Sequence, residues 1–163
     1  MTKYFLDTTI LWWYFVKNSK NHTPIKEFLD ALILDTQNSF YINEFVMIEL
    51  FHLLIKKRGK EGFELATNLL NGNYPFFVIQ YDMLQISDLR SVLSILYKYG
   101  TISTIGGRDS TIIHSMHTHR VRHIVTNDKG FEKVESIRVH NPLEKGWIDL
   151  KNHLLKYRLN QTD

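Results

Sequence analysis

The chain has no cysteine among its 163 residues. That absence excludes a disulfide framework, a thiolate zinc finger and a cysteine nucleophile, and it is compatible with a reducing compartment. Proline is scarce, at three residues. Neither Pro nor Gly clusters into a linker, and no internal repeat or low-complexity tract interrupts the chain, so residues 1–163 read as a single domain. There is no long apolar run. The longest, residues 10–16, falls far short of the roughly 20 residues a membrane span needs. A secretory leader is not expected either, because Asp7, Thr8 and Thr9 break the apolar stretch that follows Lys3. A soluble, cytoplasmic protein with no membrane partner is the expectation. An excess of one charge is also lacking: 20 Lys and Arg face 17 Asp and Glu, and a net +3 is too small to argue alone for a polyanionic partner.

What the chain does have is material for a packed core, with 44% hydrophobic and 13% aromatic residues. Tyr4-Phe5-Leu6 reads as a short buried strand ending at Asp7. Residues 10–16 show no period-2 alternation and read as helix. Thr23 is a plausible N-cap with Pro24 at the first helical position, and Ile25, Phe28, Leu29, Leu32 and Ile33 follow at helical spacing. Residues 39–42 read as a second strand. Asn43 then caps a helix running to about Lys57, closed by Lys56, Lys57, Arg58 and Gly59. A further helix spans about 60–70, and residues 76–79 form a third strand. Helices are expected over 81–99 and from Asp109 to about His119, strands over 123–126 and 136–139, and a terminal helix over 147–159. Short apolar strands alternating with helices indicate an α/β fold with a mostly parallel, five-stranded sheet. Ligands in such folds bind beyond the carboxyl ends of the strands.

That rule directs attention to acids at strand ends. Asp7 closes the first strand and Asp128 follows Ile124-Val125-Thr126. If both strands are central and parallel, both carboxylates reach one rim, where their repulsion and desolvation would be relieved by a bound cation. Each also has a plain structural role available, Asp7 as an N-cap and Asp128 in the turn Asn127-Asp128-Lys129-Gly130. Glu49 lies in Phe45-Val46-Met47-Ile48-Glu49-Leu50-Phe51, a segment apolar almost all round, where a carboxylate needs a partner or a metal. Glu44 is about 140° away from it on the helix and suits the first-turn dipole instead. Asp109 follows Gly106-Gly107-Arg108 and shares a helical stripe with Ile112, Ile113 and Met116; it too could be an N-cap. The two glycines would let the backbone approach a neighbour closely. Together the four acids form a hard-oxygen set of the kind Mg²⁺ and Mn²⁺ prefer, and such a set can serve phosphodiester hydrolysis.

These segments, in this order, resemble the PIN-domain ribonuclease family, especially the VapC-type toxins of toxin–antitoxin pairs. The resemblance rests on Phe5-Leu6-Asp7-Thr8-Thr9-Ile10-Leu11, Val46-Met47-Ile48-Glu49-Leu50, Asp109 starting a later helix, and Ile124-Val125-Thr126-Asn127-Asp128-Lys129-Gly130-Phe131. The last segment is the most specific, and the likeness runs over roughly residues 3–142. It implies a three-layer α/β/α sandwich with a central parallel sheet. It further implies an acidic pocket of Asp7, Glu49, Asp109 and Asp128 that takes one or two Mg²⁺ or Mn²⁺ ions. Thr8 or Thr9 and Thr126 would add hydroxyls to the pocket. The implied activity is metal-dependent hydrolysis of RNA, with a small antitoxin protein and a second copy of the chain as partners. One departure stands out: where the family has small residues in the helix after Asp109, this chain has Ile113-His114-Ser115-Met116-His117.

Basic residues offer further readings. Arg108 and Lys129 flank two of the proposed ligands and are candidates for RNA contact or for local ion pairs with those aspartates. The dense segment His114, His117, His119, Arg120, Arg122 and His123 suits RNA backbone contact, a transition-metal pair at His114 and His117, or a solvated helix end. Trp12, Trp13, Tyr14 and Phe15 could stack bases or pack into a core or subunit interface. Three rivals remain. A phosphatase of the haloacid-dehalogenase type also has an Asp ending its first strand, but Thr9 stands where it needs a second acid. The others are an RNA-processing nuclease of the same family that is not a toxin, and a degenerate RNA-binding or assembly module. Setting the four acids apart in one pocket would leave the rest of the chain strongly basic, as a protein that holds RNA requires.

Overall fold

The computed structural model describes residues 1–79 and 86–144. The elements run β1 (Thr2–Leu6), α1 (Thr8–Phe15), α2 (His22–Ile33), β2 (Asn38–Asn43), α3 (Glu44–Leu70) and β3 (Phe76–Ile79). They continue as α4 (Ile86–Tyr99), α5 (Gly107–Thr118), β4 (His123–Val125), a 3-10 turn at Lys129–Lys133 and β5 (Arg138–His140). The strands form one sheet in the order β3-β2-β1-β4-β5, and every pairing is parallel. Parallel neighbours require crossovers, and right-handed crossovers assign α1, α2 and α3 to one face and α4 and α5 to the other. Packing agrees, with α1 against α2 and α3, and α4 against α5. The result is the expected three-layer α/β/α arrangement.

The core forms where β1 and β4 lie side by side. Phe5, Leu6, Ile124 and Val125 are fully buried, as are Ile10 and Leu11 of α1, Ile112 and Ile113 of α5, and Phe131 of the 3-10 turn. Strands buried on both faces read as continuous apolar runs, which is why β1 and β4 were conspicuous as sequence. Trp12, Trp13, Tyr14 and Phe15 are half-buried and pack on this core. The Tyr14 hydroxyl donates to Asp30 at 3.0 Å, and Phe15 meets Tyr74 edge-on at 4.7 Å. The aromatic run is thus a packing element rather than a free platform for bases.

Several boundaries differ from expectation. The helix expected to start at Thr23 begins at His22 after Asn21, and no side chain caps it. Pro24 then sits in the first turn, where its missing N–H leaves no helical bond unmade. The two helices expected either side of Gly59 run on as α3, but Gly59 itself is non-helical, at φ 53° and ψ −122°. Glycine tolerates that left-handed value where other residues are strained. Three residues on, a Cβ at Gly62 would stand 2.1 Å from the Leu54 carbonyl oxygen, so the kink also depends on Gly62. The closeness expected of Gly106 and Gly107 is not seen: Gly107 has open space, and a Cβ at Gly106 would meet only the Asp109 carboxylate at 3.6 Å. β5 starts at Arg138 rather than 136, because the Ile137 N–H turns back to the Val134 carbonyl. The start of the 81–99 helix and the whole of the 147–159 helix fall on residues outside those described.

Candidate active site

The strand order places a switch point between β1 and β4. From β1 the chain proceeds outward to β2 and β3, then returns to the other side of β1 to lay down β4 and β5. Connections diverge there and leave a crevice at the carboxyl ends, the usual ligand position in open α/β sheets. Asp7, Thr126 and Asp128 all stand at this crevice, because Asp7 and Thr126 directly follow the carboxyl ends of β1 and β4 and Asp128 comes two residues after Thr126.

Asp7 is 2% exposed. It occupies the N-cap position of α1, yet its side chain makes no cap to that helix. Instead its Oδ2 accepts from the Thr126 hydroxyl at 2.8 Å, while its Oδ1 is buried with no hydrogen-bond partner. Burial pushes its pKa upward, as does the nearby Asp109 charge; the Thr126 hydroxyl, the Arg108 guanidinium and the Thr8 backbone N–H oppose the rise. A buried carboxylate with one orphaned oxygen is costly as pure structure, because each lone pair removed from water needs a donor or a cation. The neighbouring Thr8 hydroxyl is buried and unpartnered as well, whereas Thr9 is half-buried.

Asp109 is brought to the same place by the first turn of α5 and is 6% exposed. It stands three residues past the N-cap, not at it, and its Oδ2 accepts from the Gly106 N–H at 2.9 Å. Glu49 approaches from α3. The sequence suggested a helix apolar all round, but α3 buries only one stripe here, with Val46, Met47 and Leu50 inward and Ile48 outward. Glu49 lies at the stripe's edge, one-third exposed, and its partner is a cation from its own chain. Arg108 Nη1 pairs with Glu49 Oε1, and Nη2 donates to Asp109 Oδ1 at 3.3 Å. Burial would lower the Arg108 pKa, but the charges of Glu49, Asp7 and Asp109 outweigh it and raise it. Arg108 therefore sits in the middle of three of the four acids, in the ion-pair role that was one of its two expected readings. Glu49 Oε2 remains buried and unpartnered.

Asp128 is tied to this group through the backbone. Its N–H donates to the Thr126 hydroxyl oxygen at 3.0 Å, so one hydroxyl bridges Asp7 and Asp128. Its carboxylate Oδ1 accepts from the Gly130 N–H at 2.7 Å and from Thr104 at 3.0 Å, capping the 3-10 turn. The turn role and the rim position are therefore both realised. Lys129 beside it is exposed. Sequence reasoning missed Thr104, whose loop position carried no signal. It also missed the second role of Asn43. This buried residue caps α3 by accepting from Val46 N–H at 2.9 Å, as expected, but also donates to Ser115 Oγ at 3.0 Å. Ser115 supplies the small residue that lets α5 approach the end of β2, which softens the departure noted in that helix.

Among the described residues, no three His, Asp or Glu side chains are arranged to hold an ion between them. The donor set nevertheless fits a hard divalent cation. Its members are carboxylates, and two of their buried oxygens, Asp7 Oδ1 and Glu49 Oε2, have no partner. The histidine segment offers no comparable set. His114 is buried with Nε2 3.4 Å from Asp88, and His117 Nε2 lies 2.8 Å from Ser136 Oγ. Each of the two histidines considered for a transition metal thus has a protein partner beside its Nε2.

Comparison with known proteins adds three findings. A family model described as PIN domain matches residues 4–137. A search of curated proteins gave no match. Among solved structures, the chain is similar to one in VapBC2 from Rickettsia felis bound to a promoter DNA fragment. There the TM-score is 0.63 at 20% identity, covering 86% of this chain and 98% of that one. It is similar to VapC20 of Mycobacterium tuberculosis, titled a Sarcin-Ricin loop cleaving toxin, with TM-score 0.64 at 14% identity, covering 81% and 95%. It also resembles a chain in FitAcB from Neisseria gonorrhoeae, with TM-score 0.62 at 21% identity, covering 85% and 97%. At these identities the likeness speaks for the fold.

Proposed function

The chain belongs to the PIN-domain family, and from that premise we propose that it is a Mg²⁺- or Mn²⁺-dependent endoribonuclease, the toxin of a toxin–antitoxin pair. The observation that carries this reading is the buried, half-satisfied Asp7 carboxylate at the β1/β4 switch point, close enough to Asp109 for their charges to interact, with Arg108 linking Asp109 to Glu49. Asp7, Asp109 and Glu49 would hold the ion, with Asp128 and the hydroxyls of Thr8, Thr9 and Thr126 in support. When bound, a divalent ion would neutralise charge developing on the phosphodiester and lower the pKa of an attacking water. The protein's own contribution is positioning. Thr126 fixes one oxygen of Asp7 and leaves the other buried without a partner, while the Gly106 N–H fixes one oxygen of Asp109. Lys129, which is exposed beside Asp128, would contact RNA phosphates.

Support for the toxin reading comes from its structural relatives, of which one is titled a toxin and another a VapBC complex. A small antitoxin and a second copy of the chain are accordingly proposed as partners, and the cytoplasm as the place of action. No helix among the described residues is long and apolar enough to cross a membrane. The presence of Arg108 among the acids favours one alternative, an RNA-binding module without turnover. End-labelled RNA incubated with the purified chain separates the two. Cleavage should require Mg²⁺ or Mn²⁺, stop with EDTA, and be lost in Asp7→Asn while circular dichroism shows the fold retained. Undiminished metal-dependent cleavage by that variant contradicts the assignment, and RNA binding without any cleavage favours the alternative.

A further inference from the structure

Arg108 is the one site residue whose chemistry runs against the proposed cation. It occupies the first turn of α5, where the helix dipole disfavours a positive charge, so its placement depends on compensation from elsewhere. That compensation is specific. The planar guanidinium forks between Glu49 on α3 and Asp109 on its own helix, a geometry suited to bridging two carboxylates. It does not complete the pocket, since Asp7 Oδ1 and Glu49 Oε2 stay buried without partners. The side chain is 39% exposed, so it has a short route out to water.

We propose that Arg108 is a built-in counter-ion that competes with a divalent cation for Glu49 and Asp109, so that loading the pocket requires the guanidinium to leave. The proposal rests on the reading of this pocket as a divalent-metal site. Two like-charged cations cannot share these carboxylates without strong repulsion at contact distances. Metal-free, the guanidinium relieves the mutual repulsion of the acids and holds α3 against α5; loaded, that role passes to the ion. Arg108 therefore sets the ion concentration at which the pocket fills.

The test is Mn²⁺ binding by the full-length chain, followed by the free-Mn²⁺ electron paramagnetic resonance signal, together with thermal melts. In Arg108→Gln, Mn²⁺ should bind about tenfold more tightly, since an ion pair no longer has to break and a repulsive charge is gone. The metal-free Tm should fall and Mn²⁺ should restore it by a larger shift than in the parent chain. Arg108→Lys keeps the charge without the fork and should fall between the two, which preserves the test if the Gln variant does not fold. Equal or weaker Mn²⁺ binding in the charge-removed variant, with binding by the parent chain abolished in Asp109→Asn, overturns the competition and leaves the metal site standing. Absence of pocket binding in every variant overturns both.

Discussion

β1 and β4 run side by side, and two polar clusters along them have opposite characters. In one, Tyr4, His123 and His140 pack their rings together, with His123 and His140 stacked at 5.1 Å and their nitrogens 2.9 Å apart. Burial, the neighbouring ring and Arg138 push the His140 pKa down to about 4, so the cluster is neutral at ordinary pH and its polar atoms serve each other. Beyond the carboxyl ends of β1 and β4 the logic reverses. Asp7, Glu49 and Asp109 gather charge, leave buried oxygens unpartnered and rely on one guanidinium. One cluster thus pairs ring nitrogens with each other, and the other leaves buried carboxylate oxygens unpartnered. Unpartnered buried oxygens of that kind, more than acidity itself, are what make the second cluster the candidate functional site.

Substitutions can break this contrast in a graded order. The largest effect expected is loss of cleavage in Asp7→Asn, about a thousandfold or more, read from initial rates on RNA. Next is Thr126→Val, which removes a hydroxyl that donates to a buried carboxylate and accepts the Asp128 N–H. Urea unfolding at neutral pH should show a loss of about 1.5–3 kcal/mol. A smaller effect of opposite sign is expected from Asp7→Asn on stability. The folded-state pKa of Asp7 is raised, so its contribution is full below the unfolded value and is lost as pH rises through the folded one. The metal-free Asn variant should therefore melt higher than the parent at pH 7, with the gain disappearing in acid. The smallest change belongs to His140. Its folded pKa is depressed, so its contribution is present above the unfolded value near 6.5 and is lost as pH falls through about 4. His140→Phe should flatten that acid slope of Tm without touching cleavage. A slope unchanged by the substitution would remove the titratable half of the contrast.

How far the sequence revealed this depends on which force placed each residue. β1 and β4 were legible because burial on both faces demands continuous apolar runs, and an acid ending such a run stands out. Asn43 was legible as a cap, since capping chemistry is local. Glu49 was singled out for a reason only half right. The segment around it is more apolar than the stripe it buries, and the true partner, Arg108, is 59 residues away in sequence. Thr104 and the Asn43–Ser115 bond were hidden for the same reason: they join elements brought together only by the crossover from β3 to β4. The Gly59 kink was foreseen as a helix end with a further helix from about residue 60, and helix does resume beyond this one left-handed residue.

The central claim is that the oxygens left open at the β1/β4 switch point are there for a divalent ion. Anomalous diffraction from crystals of the chain soaked in Mn²⁺ tests it most directly. The account predicts a single strong peak or a close pair within bonding distance of Asp7 Oδ1, joined by Asp109 and with Arg108 turned outward. A peak elsewhere on the chain, or none at saturating Mn²⁺ with Arg108 still between Glu49 and Asp109, would contradict it.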